Sequence, residues 1–567
     1  MLGFAVVISK NKEGVEQSFC WKTPFDFQAE HIVRNKSFMQ VFVEQNTAKR
    51  FIDEKLWIET DNFFIVTEGV ITNLQLLFTK YSVSTYEELI SKIYTQSRFF
   101  KEFTGNFAGY MFLKKENKHI LFNNHSGTKK VFYFENDCYC IFSTDLFTLV
   151  KKLDELNIAK SLNVEAAYLL LTHGCMYENL TLVHEVKQLR AGEYLSMENN
   201  CSATKDFYFH LNNIAETTDN EGDIIENLDK KFKRAINLEY NQDERHGFTS
   251  VSTLSGGLDS RMTTLVALHN QISTIQCICF SEENYADEII AREITQTYNL
   301  PLHMWHLSAY GLMAIDDVVK VNDGLTLYSG ASHAFEALCN YTVPNVGLLH
   351  TGTIGDRIMG SFSQFKPKKH NELHAELWKK ATFITNRYKD DYANEELYLM
   401  YNYAFAAENN GFLFYDVFGE SSSPFLEPDF MSYALSIPQK LRYGRRIYVE
   451  WIRKKYPDAA NFTWETIGGK PTNNEILLCY YRYKRAMEKR LPFTHSMWKK
   501  GMNPEQLWYD TTPEVQKYVD NYFEEHIHKL EKYAELQTDA IVLYKTGGII
   551  EKTQVLTLLA ALKLLFE

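Results

Sequence analysis

Short apolar runs rich in β-branched and aromatic residues, separated by polar turns, dominate the first 150 positions of the chain. Five of these runs have the length of single strands and predict a sheet-rich first domain: Gly3–Ser9, Phe63–Thr67, Ala108–Leu113, His119–Phe122 and Tyr139–Ser143. From 209 to 222 the sequence is polar and has no apolar period. This stretch predicts a linker between a domain at 1–208 and a domain at 223–567.

After the linker the pattern changes to alternating helix-like and strand-like segments. Ile225–Glu239 has the apolar spacing of a helix, Phe248–Leu254 is a β-type run, and Ser260–His269 contains helix formers with an apolar face. Such alternation predicts a parallel sheet covered by helices. Beyond Asn473 the pattern predicts mainly helices.

Size, composition and charge narrow the class of protein. A chain of 567 residues exceeds what one hydrophobic core supports, so two or more domains are expected. The net charge of −12, without a long Lys/Arg block, argues against a nucleic-acid partner. The N-terminus lacks the features of a secretory signal, and the last apolar run, Val555–Phe566, is too short to span a bilayer. We expect a cytoplasmic protein without a membrane anchor, compatible with a homodimer.

The sequence Ser-Gly-Gly-Leu-Asp-Ser at Ser255–Ser260 lies between a strand-like run and a helix-like run. Adjacent glycines let the backbone approach phosphate oxygens, and the following helix offers unpaired N–H groups. The spacing is neither that of a Walker A loop nor that of a dinucleotide-binding loop. Asp259 suits a Mg²⁺ ion that shields pyrophosphate. The loop therefore predicts an ATP-pyrophosphatase site; the alternative is a plain turn in which Asp259 or Ser260 caps the helix.

At these residues the chain resembles the asparagine synthetase superfamily, and the resemblance continues over nearly the whole sequence. It implies an α+β sandwich of the Ntn-hydrolase type, followed by an α/β ATP-pyrophosphatase domain with a parallel sheet and a helical C-terminal region. It also implies ATP and Mg²⁺ as cofactors. The implied activity is that of an amide-forming ligase, whose partners are a small-molecule or peptide carboxylate and an amine donor.

Three later segments contribute to the resemblance. Cys277–Glu283, which includes Phe280, is similar to the family's adenosine-binding strand and turn, and Tyr285–Glu288 is similar to the acidic start of its next helix. Leu348–Asp356 resembles the second signature, in which Asp356 would be the second Mg²⁺ ligand. Read alone, the acidic residues of the last two segments also suit the first turn or the cap of a helix.

Two further segments follow in the family's order. Pro424–Asp429 and Ala434–Pro438 resemble a Pro-Phe-Leu-Asp segment and a downstream proline that shape the acceptor pocket. Lys470 aligns with a late lysine that neutralises charge at the reacting phosphate; the alternative is an exposed loop lysine. The resemblance assigns nucleotide binding to Ser255, Gly256, Gly257, Leu258, Asp259, Ser260, Phe280 and Gly352, Mg²⁺ binding to Asp259 and Asp356, and catalysis to Lys470 and Asp356.

The first domain departs from a working glutaminase. It resembles an Ntn amidohydrolase through Phe103–Gly109 and Asn124–Lys129, but Leu2 occupies the position of the nucleophilic cysteine. Within Thr67–Asn73, Glu68 stands where an asparagine would stabilise the oxyanion, and a carboxylate would repel that charge. We therefore expect this domain to be inactive toward glutamine.

Two departures concern the second domain. Thr353 stands where asparagine synthetases have Glu and β-lactam-forming relatives have Tyr, and Arg261 stands where Ser is common in asparagine synthetases. Three hypotheses stay open: amidation by ammonia or an amine, including asparagine biosynthesis; intramolecular cyclisation of the lasso-peptide or β-lactam type; and a non-catalytic nucleotide-binding scaffold. The intact loop with Asp259 and Asp356 favours a ligase.

Overall fold

The computed structural model describes residues 2–11, 18–25, 30–96, 98–199, 201–341, 343–364, 374–490 and 501–567. Within these ranges the chain forms two antiparallel sheets, followed by a parallel sheet with helices around it. No helix in the described ranges is both long and apolar enough to cross a membrane.

Two six-stranded antiparallel sheets form the first domain, in the orders β10-β8-β9-β1-β3-β2 and β12-β11-β7-β6-β5-β4. The strands are β1 (Gly3–Ser9), β2 (His31–Ser37), β3 (Val41–Ala48), β4 (Trp57–Glu59), β5 (Phe63–Ile71), β6 (Gly105–Leu113), β7 (Lys118–Asn123), β8 (Phe132–Glu135), β9 (Tyr139–Ser143), β10 (Lys187–Gln188), β11 (Glu193–Glu198) and β12 (Thr204–Phe207). The helices are α1 (Leu74–Tyr81), α2 (Tyr86–Ile93), α3 (Leu146–Glu155) and α4 (Val164–His173).

Alternate residues of the central strands point into different cores, because side chains in a strand face opposite sides of the sheet. Phe4 and Val6 of β1 pack against Phe64 of β5 in the core between the two sheets. Ala5 and Val7 of β1 belong instead to a core that includes residues of α3 and α4. The domain is therefore a sandwich of two sheets with helices on its outer faces.

The second domain is built on a parallel sheet in the order β15-β14-β13-β16-β17. Its strands are β13 (Thr249–Thr253), β14 (Ile275–Ser281), β15 (Leu302–His306), β16 (Val346–His350) and β17 (Glu420–Ser422). Strand β13 is central: the chain first adds β14 and β15 on one side of it, and then β16 and β17 on the other. The loops after β13 and β16 therefore meet at a topological switch point, where open α/β sheets bind ligands.

Helices fill the rest of the second domain. They are α5 (Glu221–His246), α6 (Leu258–His269), α7 (Ala286–Tyr298), α8 (Ile315–Asn322), α9 (Ser329–Cys339), α10 (Gly355–Ile358), α11 (Ala375–Lys389), α12 (Glu395–Leu399), α13 (Gly411–Phe418), α14 (Pro428–Ser436), α15 (Gln439–Arg442), α16 (Arg446–Lys455), α17 (Glu475–Arg490), α18 (Glu505–Thr511), α19 (Pro513–His526), α20 (Ala534–Thr546) and α21 (Ile549–Phe566). After Asn473 the described part of the chain consists of helices and the turns between them, as the sequence predicts.

The predicted fold class is confirmed, and the main differences concern the ends of elements. Strand β5 continues to Ile71, beyond the predicted end, because Gly105 of β6 still pairs with it. Helix α5 begins earlier than predicted, since the Asn220 side chain caps it by accepting hydrogen bonds from the Gly222 and Asp223 N–H groups. Polar first turns carry no apolar period, so the pattern misses them.

A buried ionic cluster joins the two domains. The Lys55 ammonium lies 2.9 Å from Glu68 and 2.8 Å from Glu420, and the Lys129 ammonium lies 2.8 Å from Asp416 and 3.1 Å from Glu420. Burial alone would raise the pKa of the Glu420 carboxyl, but the ammonium groups of Lys129 and Lys55 lower it to about 2. Each lysine therefore depends on a carboxylate from the other domain.

We expect Glu420→Gln to lower the thermal unfolding temperature at pH 7, because Lys55 and Lys129 lose a buried counter-charge. Removing one partner of a buried ion pair costs about 3–5 kcal/mol. The folded-state pKa is lowered, so the stabilisation is complete above the ordinary value of 4.5 and disappears as the pH falls toward about 2. Calorimetry against Arg446→Gln, which removes a surface pair with Glu221, provides the control. Equal melting temperatures for the two variants would contradict this expectation.

Candidate functional site

The loop after β13 leads directly into α6 without a side-chain cap. Gly257 occupies the N-cap position, and no side chain there accepts a hydrogen bond from the first turn. A methyl group added at Gly256 would lie 2.8 Å from Cβ of Glu465, whereas at Gly257 it would meet only the Ser255 hydroxyl, at 3.3 Å. Packing around Gly256 therefore leaves no room for a side chain at that position. The space beside Gly257 is open, and an anion there would accept hydrogen bonds from the N–H groups in the first turn of α6.

Hydrogen bonds inside the loop fix its shape. The Ser255 N–H donates to the Ser260 hydroxyl at 3.1 Å, and the two hydroxyl oxygens lie 3.0 Å apart. The Gly256 N–H donates to the Asp287 carboxylate at 2.6 Å. Burial and the nearby charge of Glu465 raise the pKa of Asp287 to about 6. Ser260 and Asp287 thus hold the loop closed from two sides.

The Arg261 side chain fixes the same loop through hydrogen bonds to backbone carbonyl groups. Its buried guanidinium donates to the carbonyl oxygens of Gly256 at 3.1 Å, Ala459 at 3.1 Å, Phe462 at 3.2 Å and Thr463 at 2.5 Å. Burial lowers the pKa of this guanidinium to about 10, which leaves it cationic at neutral pH. Arg261, which stands where the resemblance gives a serine, therefore binds the loop after β13 to residues 459–463.

The loops after β13 and β16 touch through Asp259. The Asp356 N–H donates to one oxygen of the Asp259 carboxylate at 2.9 Å, and the Tyr448 hydroxyl donates to the other at 2.8 Å. A methyl group at Gly352 would lie 2.4 Å from the loop backbone, and one at Gly355 would lie 2.8 Å from Cγ of Asp259. Only glycine at these positions permits so close an approach.

The two aspartates form an electrostatically unfavourable pair. Burial and the adjacent charge of Asp356 raise the pKa of Asp259 to about 7. The Asp356 carboxylate lies 3.3 Å from Arg357 and 4.0 Å from Arg445. Two neighbouring carboxylates provide oxygen ligands of the kind that Mg²⁺ prefers, so both residues fit this cation. Among the described residues no group of three His, Cys, Asp or Glu side chains is placed to hold a metal ion.

The loop after β16, residues 351–354, is the second loop of the site, and it contains a strained residue. Ile354 has a φ of 55°, in the left-handed region, which is unfavourable for a β-branched side chain. The Thr353 hydroxyl lies 2.9 Å from that of Thr351, and the Thr353 carbonyl accepts a hydrogen bond from Ser423 at 3.2 Å. Thr353 is therefore held inside the loop, between β16 and the residue that follows β17.

Lys470 lies at the end of the segment 464–470, which contacts the loop after β13. The Glu465 N–H donates to the Gly256 carbonyl at 3.1 Å, which joins the two segments directly. The Lys470 ammonium donates to the Asn461 side chain at 3.2 Å. The structure thus brings the Lys470 segment to the loop, while the role of this ammonium in catalysis stays a prediction.

Phe280 and the Pro424–Asp429 segment lie on opposite sides of the loop. Phe280 is half-buried near the end of β14, the strand next to β13, and its ring centre lies 5.6 Å from that of His333. The Phe425 ring packs under the second loop, 2.9 Å from where a methyl group on Gly355 would lie. Of the two, Phe425 lies beside the loop after β16, and the contacts of both segments with adenosine and acceptor stay predictions.

Sequence reasoning missed several side chains at this site. Tyr448, which binds Asp259, follows it by 189 positions. Arg357 donates to both oxygens of Glu408 at 2.6–3.1 Å, and the Arg445 guanidinium lies 4.7 Å over the Trp464 ring. Their sequence neighbours give no distinctive pattern, so only the folded chain reveals them.

Comparison with solved structures gives weak likenesses. One is titled the structure of the allosteric regulatory enzyme of purine biosynthesis; it is 8% identical, with 54% of this chain and 75% of that chain covered and a TM-score of 0.24. Another is a glutamine phosphoribosylpyrophosphate amidotransferase from B. subtilis complexed with ADP and GMP; it is 8% identical, with 53% and 59% covered and a TM-score of 0.21. Neither TM-score establishes a shared fold.

Sequence comparison is more specific. No curated protein matches the chain. A sequence model of the asparagine synthase family matches residues 227–412, a range that contains the loops after β13 and β16 with Asp259 and Asp356. This part of the chain is therefore similar to the asparagine synthase family.

Proposed function

We propose that this chain is an ATP-dependent ligase that adenylates a carboxylate and transfers the acyl group to an amine. The similarity to the asparagine synthase family and the uncapped glycine loop before α6 support this activity. The observation that carries the proposal is the hydrogen bond from the Asp356 N–H to Asp259, because it holds two carboxylates beside a phosphate-binding loop.

In the first step a carboxylate oxygen attacks the α-phosphorus of ATP, and the bond to pyrophosphate breaks. Mg²⁺, held by Asp259 and Asp356, would supply positive charge to the leaving pyrophosphate. The α6 amides and Arg445 would contact the phosphates, because they surround the two carboxylates. In the second step the amine nitrogen attacks the acyl carbon, AMP leaves and the amine loses a proton; positioning and electrostatics accelerate both steps.

The amine in this proposal does not come from glutamine. Glu68, which replaces the expected oxyanion donor, is buried and accepts hydrogen bonds from Gln45 at 2.9 Å, Thr47 at 3.1 Å and Lys55 at 2.9 Å. Glu68 and Leu2 line one cavity, which also contains the buried ion pair of Lys129 and Glu420. Ammonia or an amine of the substrate would therefore serve as the nucleophile.

Two alternatives share the nucleotide site. An intramolecular cyclase would use the same adenylation and take its amine from the same molecule, so it would need no glutamine site. A scaffold protein would bind nucleotide without chemistry; Thr353, held within its loop, favours this hypothesis because it replaces the Glu or Tyr of relatives. The adenylation step separates the ligase and the cyclase from the scaffold.

We expect purified protein with ATP and Mg²⁺ to exchange labelled pyrophosphate into ATP when a suitable acid is present, and pools of acids identify it. Asp259→Ala should reduce the exchange by about two orders of magnitude or more, since it removes a carboxylate beside the pyrophosphate. Asp206→Ala, which removes an exposed aspartate paired with Arg98 in the first domain, should leave the exchange unchanged. Nucleotide binding without any acid-dependent exchange would favour the scaffold hypothesis.

The affinity for divalent cation should depend on pH through Asp259. Its pKa of about 7 means that the carboxyl is protonated below neutrality, so cation binding must displace a proton. We expect Mn²⁺ affinity to rise about tenfold per pH unit below pH 7 and to level off above it. Electron paramagnetic resonance of free Mn²⁺ measures this without nucleotide. Asp356→Asn should weaken the binding and lower the pH of half-titration; a flat profile in the unmodified protein would count against the paired site.

We expect no glutamate release when the protein is incubated with glutamine. Leu2→Cys should not restore it, because Glu68 keeps its negative charge and its three hydrogen bonds where an oxyanion would form. Chromatographic quantification of glutamate over time gives the measurement, with a denatured sample as background. Release above that background by the unmodified chain would show that the amine can come from glutamine.

A further inference from the structure

A small cavity lies between the two domains, at the carboxyl end of β17. Asn106, Asn124 and Thr128 line it from the first domain, and Glu239 and Ser422 line it from the second. The centre of a water-sized particle can move within about 20 Å³ of the cavity, which is enough for one water molecule or one ion of similar radius. The interface therefore offers a site for one small particle.

Hydrogen-bond donors in the lining are committed to partners within the walls. The Thr128 hydroxyl donates to Oδ1 of Asn106 at 2.7 Å, and the Asn124 amide donates to the Thr128 oxygen at 2.6 Å. Ser423, which also lines the cavity, donates its hydroxyl proton to the Thr353 carbonyl at 3.2 Å. A hydroxyl that has donated its proton keeps only lone pairs for a ligand, so these side chains present acceptor oxygens.

Two buried oxygens on the second-domain side lack a hydrogen bond within the part of the chain that the structure describes. One is Oε2 of Glu239, a residue that is 6% exposed, and the other is the hydroxyl oxygen of Ser422, which is 5% exposed. Buried polar atoms are costly without a partner, and the great majority of them have one. These two oxygens therefore indicate that the cavity holds a particle that they contact.

The Glu239 carboxylate also lacks a full counter-charge. The His350 ring serves two carboxylates, because its Nε2 lies 2.8 Å from Asp243 and its Nδ1 lies 3.5 Å from Glu239. Burial raises the pKa of Glu239 more than the His350 ring and the Ser422 hydroxyl lower it. One imidazolium thus faces two buried carboxylates, and a cation in the cavity would supply the missing charge.

Two neighbouring cations are engaged with other carboxylates. The Arg234 guanidinium lies 3.1 Å from Glu427, which lines the cavity, and 2.5 Å from the exposed Asp429. Among acidic groups, Arg50 interacts most strongly with Glu420 of the buried ionic cluster. Neither arginine therefore supplies the charge that the cavity lacks.

We propose that this cavity binds one monovalent metal cation of the size of K⁺, held by Glu239, Ser422 and the hydroxyl oxygens of Thr128 and Ser423. Neutral oxygens with one carboxylate suit a singly charged ion, whereas divalent ions take more carboxylates. In line with this choice, no three acidic, His or Cys side chains in the described ranges are placed to hold a metal. Because its ligands come from both domains, the ion would fasten the first domain to the end of β17.

Thallous ion, which has nearly the radius and the same charge as K⁺, tests the site through thallium NMR of the full chain in tetramethylammonium nitrate. We expect Tl⁺ to bind with a Kd on the order of 1 mM and K⁺ to displace it. Asp259→Ala should bind Tl⁺ equally well without nucleotide, so this outcome is independent of the proposed ligase activity. Failure of K⁺ to displace Tl⁺, or displacement by Mg²⁺ at a lower concentration than by K⁺, would overturn the proposal.

Variants separate ion binding from folding. Glu239→Gln should weaken Tl⁺ binding at least about tenfold, because it removes the charged ligand, and Ser422→Ala should weaken it less. Glu505→Gln neutralises a carboxyl of similar burial, 8% exposed, in the C-terminal helices and should leave the affinity unchanged. K⁺ in place of tetramethylammonium at equal ionic strength should also raise the melting temperature of the unmodified chain more than that of Ser422→Ala. Equal Tl⁺ affinity in all variants would assign the two oxygens to a water molecule or a proton and overturn the proposal.

Discussion

The hydrogen bond from the Asp356 amide to the Asp259 carboxylate joins the ends of two neighbouring strands, and the rest of the site is arranged around it. The contact is possible because β13 and β16 are adjacent in the sheet although 97 positions separate the two residues. It also requires Gly352 and Gly355, where any side chain would collide with the first loop. Sheet topology and two glycines thus create the pair of carboxylates.

The two neighbouring carboxylates of this pair repel each other, and residues from several elements offset the repulsion. Burial and mutual repulsion raise the pKa of Asp259, while the Tyr448 hydroxyl donates to it and Arg445 and Arg357 face its neighbour Asp356. The unfavourable backbone of Ile354 lies in the same loop. A strained backbone and a raised carboxyl pKa thus occur in the same place, which is common at functional sites.

The two domains share buried ion pairs as well as a hydrophobic core. At their interface Lys55 and Lys129 share the buried carboxylate of Glu420; Lys55 also pairs with Glu68 of its own domain, whereas both carboxylates paired with Lys129, Asp416 and Glu420, belong to the second domain. Glu68, at a position that the family resemblance gives to an oxyanion donor, forms part of the same network. Its ion pair with Lys55 thus helps to fasten the sandwich to the second domain.

The sequence by itself determined the features that depend on consecutive residues. The apolar periods predicted the sheet-rich first domain and the alternating second domain, and Ser255–Ser260 predicted a glycine loop between a strand and a helix, because secondary structure and turn conformation are local properties. Only the tertiary structure decided that Tyr448 binds Asp259, that Arg261 spans four carbonyls, and that Lys55 neutralises Glu68. These contacts join residues from different elements. Their geometry follows from how the sheets and helices pack, which no short stretch of sequence specifies.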